Sequence, residues 1–371
     1  MDDSRMTAAD DWPALIASTI ADIGPLDAQA AARAAARHDA LTKPPGSLGH
    51  LERLGIRMAG ITGIDRPRLA HRLVVVAAAD HGVARHGVSA YPAEVTAQMV
   101  GNFLAGGAAI NVLAAHAGAR VRIVDAGVRG ETPEDAALTR LRLGPGTDDF
   151  TSGPAMSRAT AERAVGEGIA LLAHEHAAGG VDIVAGGDMG IGNTTAAAAL
   201  VAAVTGRPVP AVTGRGTGID DARFGAKVRA IQLALDVNQP DRQDGIDLLA
   251  KVGGFEIGVL AGVYLGAAAR RIPIVLDGVI STAAALVAQV LAPPVREYLT
   301  AAHRSVEPGH SATLEYLELE PLLDLGMRLG EGSGAALGIS LCVAACRVLD
   351  EMATFGEAGV ESSDSVVRPE S

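Results

Sequence analysis

Aromatic residues and cysteines are scarce in this sequence. Aromatic side chains make up 3% of its 371 residues, and cysteine occurs twice, at Cys342 and Cys346. This spacing places both thiols on one face of a helix rather than in a CxxC motif, so it argues against a zinc site or a redox centre. We expect two buried structural thiols, because cysteine is among the residue types most often found buried.

Basic residues are also fewer than acidic ones. The chain has 31 basic and 43 acidic residues, which gives a net charge of -12. Such a surface would repel the phosphates of a nucleic acid, so we expect no nucleic-acid partner. Any anionic ligand must therefore be bound by groups that are concentrated locally.

Long apolar runs are missing as well. Residues 1–12 carry four Asp and one Arg without an apolar core, which argues against a signal or transit peptide. The apolar stretch 283–295 is interrupted by Gln289 and Pro293 and is shorter than the roughly 20 residues that a membrane span needs. The sequence therefore predicts a cytoplasmic protein with no membrane partner.

Short apolar runs that end in Asp and Gly are abundant, and each is typical of a buried strand. Ala-rich stretches long enough for crossover helices lie between them. The alternation predicts an α/β fold built on a doubly wound, Rossmann-like parallel sheet, with ligands bound beyond the carboxyl ends of the strands. The predicted strands are 73–82, 121–127, 181–190 and 272–278, and the predicted helices include 93–117, 159–177, 194–204 and 255–270.

Both ends of the chain lack strand runs and show helical spacing. Residues 12–60 are interrupted at 43–46, where two successive prolines end a helix, and residues 335–355 are again helical and Ala-rich. We predict a small helical domain formed by residues 1–65 and 343–371, and a Rossmann-like catalytic domain formed by residues 66–342. The last dozen residues are expected to be a frayed tail.

The strongest local motif is GGDMGIGNTT at 186–195, directly before an Ala-rich helix. Its glycines allow close approach of a ligand, and the free N–H groups at the helix start favour a phosphate. A merely tight turn between strand and helix is the alternative. The motif differs from a dinucleotide fingerprint because Thr195 replaces the third glycine and no acidic residue follows about 20 positions on. The candidate ligand-binding residues here are Gly190, Gly192, Asn193 and Thr194.

A second glycine-rich loop spans 213–218 and contains Arg215 and Gly216, and Lys227 follows on the next predicted helix. Arg215 and Lys227 could supply the positive charge that an acidic protein must concentrate around an anionic substrate. The alternative is a solvated loop with a surface lysine. The glycines favour a functional role.

A third candidate is Glu331, which stands among four glycines within 326–334. Poor solvation raises the proton affinity of a carboxylate and suits it to general-base catalysis near neutral pH. A solvated loop charge is the alternative interpretation.

A fourth candidate combines Asp80 and His81 at a strand end with the following helix, where Gln98, Met99 and Phe103 could line an apolar pocket. Alternatively, Asp80 and His81 only cap and bond the loop. No histidine has metal-ligand spacing, and no metal is expected.

Together these motifs resemble those of the nicotinate-nucleotide:dimethylbenzimidazole phosphoribosyltransferase family, in the family's order and over most of the chain from Leu41 to Gly356. The segments that carry the resemblance are TKPPGSLG at 42–49, DHG at 80–82, the stretch 91–100, 187–195, 213–221, HRSVEPGH at 303–310, and 328–334.

The resemblance implies a homodimer that acts on nicotinate mononucleotide and benzimidazole-type bases without a cofactor. It implies that Glu331 is the general base, that Asp188 replaces the usual Glu, and that Lys227 is the active-site lysine. It further implies that the turn 190–195 and the backbone of Leu329 and Gly330 bind the nucleotide, while Gln98 faces the base.

Two other functions are compatible with parts of the sequence. A nicotinamide-dependent dehydrogenase is suggested by the glycine loop, although the third glycine and the ribose-binding acid are missing. A non-catalytic nucleotide-binding regulator on the same sheet would not need Glu331.

Overall fold

The fold is built on one sheet of six parallel strands. The structure is a computed structural model that describes residues 11–361. The strand order is β3-β2-β1-β4-β5-β6, so the order reverses between β1 and β4, as in doubly wound sheets. The strands are β1 (Arg72–Ala79), β2 (Ala119–Gly127), β3 (Leu138–Arg140), β4 (Ile183–Met189), β5 (Ile274–Leu276) and β6 (Leu299–Ala301).

Fifteen α-helices surround the sheet in the described part of the chain. They are α1 (Trp12–Ala21), α2 (Ala28–Ala40), α3 (His50–Thr62), α4 (Val95–Leu104), α5 (Ala109–His116), α6 (Arg158–Gly179), α7 (Asn193–Thr205), α8 (Val209–Val212), α9 (Asp221–Asn238), α10 (Gly245–Val252), α11 (Phe255–Ala269), α12 (Val279–Leu291), α13 (Pro308–Tyr316), α14 (Ser333–Glu351) and α15 (Phe355–Ala358).

The predicted α/β fold with a parallel, doubly wound sheet is confirmed, and each of the four predicted strands is present. The sequence did not predict the two edge strands β3 and β6, which have only three residues each. The prediction of a single helix over 93–117 is wrong. This segment forms two helices, α4 and α5, because Gly106 between them adopts a left-handed backbone with φ of 76°.

Helices cover both faces of the sheet, which explains why its central strands β1 and β4 are almost entirely buried. Successive residues of β4 show the two faces. A side chain at Gly186 would meet Tyr264 of α11, whereas one at Gly187 would meet the backbone of Glu331, just before α14. Since neighbouring strand residues point to opposite faces, the Glu331 loop lies across the sheet from α11.

The two chain ends pack together through α2, α3 and α14. A small separate core is formed by Ala34, Ala59 and Leu349, and the Arg37 guanidinium donates to the carbonyl of Leu349 at 2.7 Å. Helix α1 packs on α6 and α11 instead. The division into two domains stays a prediction, and the expected frayed tail lies almost wholly outside the described residues.

The two cysteines are buried in α14 as free thiols, as predicted. Two described segments are long and apolar enough to cross a membrane by length and composition, Val95–His116 and Ser333–Glu351. The first of them is divided between α4 and α5, and the second, α14, packs on β4 and β5.

Candidate active site

A cavity of about 560 Å³ opens beyond the carboxyl ends of β4 and β5. Parallel sheets bind their ligands at this edge. Nine residues predicted from the sequence as catalytic or ligand-binding line it. They are Met99, Asp188, Gly190, Asn193, Thr194, Gly216, Leu329, Gly330 and Glu331.

The other six predicted residues do not line the cavity. Asp80, His81 and Lys227 are buried behind its wall, whereas Gln98 is exposed on α4. Gly192 forms the turn before α7. The Arg215 guanidinium points away and pairs with Asp221.

Glu331 lies in the loop that precedes α14 and has a left-handed backbone with φ of 62°. Its neighbours Gly330 and Gly332 are also left-handed, so three successive residues adopt a conformation that is costly for a side-chain-bearing residue. Gly187 of β4 has no side chain, and this lets the Glu331 backbone lie directly on the strand. Glu331 is 7% exposed, and one of its carboxylate oxygens has no hydrogen-bond partner within residues 11–361.

Burial raises the pKa of Glu331 above its usual value, a backbone hydrogen bond from Ile110 opposes the shift, and the negative charge of Asp277 raises the pKa further. A carboxylate with raised proton affinity at the wall of a cavity is suited to accept a proton from a ligand.

Asp188, the last residue but one of β4, lies on the same side of the cavity. Its Oδ2 accepts a hydrogen bond from the Asn193 side-chain amide at 3.0 Å. Burial raises the pKa of Asp188 well above its usual range, and the charges of Asp277, Glu256 and Glu331 add to this, while the bond from Asn193 opposes it. Asp188 is therefore a carboxyl group that holds a proton far more readily than an exposed Asp.

Asp277, just after β5, holds the Glu331 loop in place. Its Oδ1 accepts the backbone N–H groups of Gly334 at 2.7 Å and Ala335 at 3.0 Å, and its Oδ2 accepts that of Gly332 at 3.1 Å. The side chain is completely buried. The sequence placed Asp277 at a strand end but gave it no role, because the partner backbone is more than fifty residues away in the chain.

The start of α7 and the loop 213–218 form another wall of the cavity. The Lys227 ammonium, which is fully buried, donates to Thr194 Oγ1 at 2.8 Å and to the Gly214 carbonyl at 3.1 Å. Burial lowers the pKa of Lys227 to about 8, and the charge of Glu307 opposes this. A positive charge therefore lies directly behind the wall that Thr194 and Gly216 form.

Several residues of the cavity were not singled out from the sequence. Glu307 accepts the N–H of Gly216 at 2.9 Å, and Arg328 donates to the Gly216 carbonyl at 3.1 Å, so the two side chains hold the backbone on both sides of Gly216. His303 lies in the wall with its Nε2 3.7 Å from Asp277 Oδ1. Glu307, Arg328 and His303 fell within the motifs that carry the resemblance, which was the only signal available for them.

Helix α4 forms the apolar wall through Val95 and Met99, together with Tyr91 just before it. Behind this wall, the Asp80 carboxylate accepts from the Thr96 hydroxyl at 2.8 Å, and His81 Nε2 pairs with Glu256 at 2.8 Å. The structure thus supports the alternative interpretation of Asp80 and His81, as side chains that bond the surrounding loops. Within residues 11–361 no group of three or more His, Cys, Asp or Glu side chains could hold a metal ion.

Comparison with known proteins identifies the family. A family model described as phosphoribosyltransferase matches residues 23–360. The chain belongs to this phosphoribosyltransferase family. The resemblance inferred from the sequence motifs is therefore confirmed, and family membership argues against the dehydrogenase and the non-catalytic regulator.

Curated relatives and a solved structure agree along nearly the whole chain. The nicotinate-nucleotide–dimethylbenzimidazole phosphoribosyltransferase of Roseiflexus sp. (strain RS-1) is 64% identical over 93% of this chain and 98% of its own length. That of Geobacter sulfurreducens is 53% identical over 94% and 99%. A crystal structure of the Thermus thermophilus enzyme superposes with a TM-score of 0.86 at 47% identity, covering 91% of this chain and all of that one.

Proposed function

We propose that this protein transfers the ribose phosphate of nicotinate mononucleotide to 5,6-dimethylbenzimidazole, giving α-ribazole phosphate, the nucleotide of the cobalamin lower ligand, and nicotinate. The names of its relatives support this reaction. The observation that carries it is Glu331, a poorly solvated carboxylate at the wall of a cavity that has one apolar side and one side formed by the glycine turn and the first residues of α7.

The side formed by the glycine turn and the start of α7 is suited to the nucleotide. The start of α7 presents its N-terminal peptides and its positive dipole end to the cavity, which favours a phosphate. Lys227 adds a positive charge behind Thr194 and Gly216. These groups supply locally the attraction for an anion that an acidic chain lacks overall.

The apolar side is suited to the incoming base, where Tyr91, Val95 and Met99 offer dispersion contacts. Glu331 accepts the N–H proton of the benzimidazole while the other ring nitrogen forms a bond to C1′ of the ribose. The bond from C1′ to nicotinate breaks, and its electron pair returns to the pyridinium nitrogen. Attack on the opposite face inverts the carbon, and placing both reactants in one cavity supplies much of the rate.

We further propose that the enzyme is a cytoplasmic homodimer that binds neither nucleic acid nor membranes. The acidic composition supports the absence of nucleic-acid binding. The dimer is what the resemblance carried by the sequence motifs implies. The molar mass in solution, measured by light scattering at two salt concentrations, tests the dimer.

The decisive experiment incubates the purified protein with nicotinate mononucleotide and dimethylbenzimidazole and quantifies both products by chromatography. We expect nicotinate and the new nucleotide to appear in equal amounts. Nicotinate release that is independent of the added base would indicate a hydrolase, and no release at all would reject the transfer reaction.

A further inference from the structure

A buried chain of hydrogen bonds links the sheet, helix α4 and the glycine turn before α7. The Thr96 hydroxyl donates to Asp80 Oδ1 at 2.8 Å and accepts the backbone N–H of Ile191 at 3.2 Å. The other Asp80 oxygen accepts the N–H of Arg129 at 2.8 Å. Asp80 itself follows β1 directly and donates its N–H to the Gly127 carbonyl at the end of β2. This series of hydrogen bonds therefore starts at the carboxyl ends of β1 and β2.

Thr96 connects the two sides of the cavity without reaching the cavity itself. It is fully buried and absent from the cavity wall. Its neighbours on α4, Val95 and Met99, line the side assigned to the base, whereas Ile191 lines the side assigned to the nucleotide. One hydroxyl thus bonds both the element that faces one reactant and the element that faces the other.

We propose that Thr96 is a positioning residue that fixes the separation between the nucleotide-binding turn and the base-binding helix. This inference rests on the proposed transfer reaction. Bond formation between two bound reactants depends steeply on their mutual placement, and an error of about 1 Å can cost about 100-fold in rate. Removal of the Thr96 hydroxyl releases the Ile191 peptide from α4, so each reactant still binds but the two are held less accurately together.

The test compares Thr96→Val, which keeps the shape of the side chain and removes the hydroxyl, with Thr96→Ser, which keeps the hydroxyl. We expect Thr96→Val to lower kcat by about 10-fold or more. The dissociation constants for nicotinate mononucleotide and for dimethylbenzimidazole, each measured alone by calorimetry, should change by less than about threefold. Thr96→Ser should restore most of kcat.

Thr300→Val is the matched control, because Thr300 is also buried and its hydroxyl has no hydrogen-bond partner in the described part of the chain. A kcat for Thr96→Val equal to that of the control, or an equal loss in Thr96→Ser, overturns the inference. If Thr96→Val does not fold, Asp80→Asn tests the same chain of bonds, and an unchanged kcat there overturns it as well. A wild-type protein without transfer activity would instead reject the proposed function.

Discussion

Two helix starts face the same edge of the sheet and are built alike. Helix α7 follows Gly192 with φ of 99°, and α14 follows Gly332 with φ of 87°. Neither helix has a side-chain hydrogen bond from its N-cap residue. Both therefore leave N-terminal peptide groups that need a partner.

The partners differ. At α14 the carboxylate of Asp277 accepts three backbone N–H groups. At α7 the first residues, Asn193 and Thr194, line the cavity instead. The comparison shows that one local structure can serve two purposes. A helix start filled by an internal carboxylate fixes the loop that carries the proposed general base, whereas one left open to a cavity is available to an anionic ligand.

The largest effect on turnover is expected from Glu331→Gln, in the loop before α14, whose helix start is filled by Asp277. The amide has nearly the same shape but cannot accept the proton, and general-base catalysis typically contributes about 10² to 10⁴ in rate. We expect kcat to fall by about 100-fold or more with an unchanged unfolding midpoint in urea. Glu318→Gln is the control, since Glu318 is also left-handed, with φ of 54°, and lies outside the cavity. Normal turnover in Glu331→Gln would remove this residue from the mechanism.

Asp277→Asn should weaken the hydrogen bonds that hold the start of α14. The amide oxygen can keep the bonds to Gly334 and Ala335, but the side-chain amide nitrogen then faces the N–H of Gly332, donor against donor. We expect a loss of about 3 kcal/mol in the free energy of unfolding, measured in urea, because one buried hydrogen bond is replaced by two opposed donors and the other two no longer go to a charged group. We also expect a fall in kcat of about 10-fold or more, because the residue next to Glu331 is released.

Asp277→Asn should also change the pH dependence of kcat/KM. The charge of Asp277 raises the pKa of Glu331, and a base with a raised pKa loses activity at a higher pH as the solution is acidified. The acidic limb of the kcat/KM profile should therefore move to lower pH in Asp277→Asn. Asp125→Asn, at the end of β2 and outside the cavity, is the matched control and should leave the profile unchanged. An acidic limb that does not move would separate Asp277 from the titration of Glu331.

The open and filled helix starts were not equally predictable. The sequence showed glycines around both, and this was enough to predict a phosphate-binding turn at 186–195 and a poorly solvated Glu331. It could not show that Asp277 fills one of them, since that depends on β5 lying beside β4.

The strand ends illustrate the same limit. Asp80, Asp188 and Asp277 all follow apolar runs, yet only Asp188 lines the cavity. The other two bond backbone groups of neighbouring segments. Position at a strand end predicts the edge of the sheet where a polar side chain lies, but which partner it meets is decided by packing between distant segments.

A smaller effect is expected at the open helix start from Lys227→Met. The buried ammonium lies behind Thr194, and the loss of one charge near an anion should weaken nicotinate mononucleotide binding by about 10-fold. Binding of dimethylbenzimidazole should hardly change.

The effect of Lys227 should also depend on pH. Because the pKa of Lys227 is lowered to about 8, the affinity of the wild type for the nucleotide should decline as the pH rises above 8, and the variant should lack this decline. Calorimetry at about pH 7 and about pH 9 measures both, with Lys251→Met as control. An affinity loss confined to the benzimidazole would reject the assignment.

The smallest effect is expected from Arg215→Gln, on the same glycine loop. The sequence suggested Arg215 as a second cation for the anion, but its guanidinium pairs with the exposed Asp221, donates to the Ile219 carbonyl and lies over the Phe224 ring. Its side chain is 51% exposed, so solvent screens its charge, and exposed ion pairs contribute only about 0 to 1 kcal/mol. We therefore expect nucleotide affinity to fall by less than about fivefold. Titration of nicotinate mononucleotide into Lys227→Met and into Arg215→Gln shows which of the two cations contributes more to nucleotide affinity. A larger loss in Arg215→Gln would mean that this side chain turns into the cavity when the nucleotide binds, and that the open helix start receives its positive charge from the loop in front of it rather than from the lysine behind it.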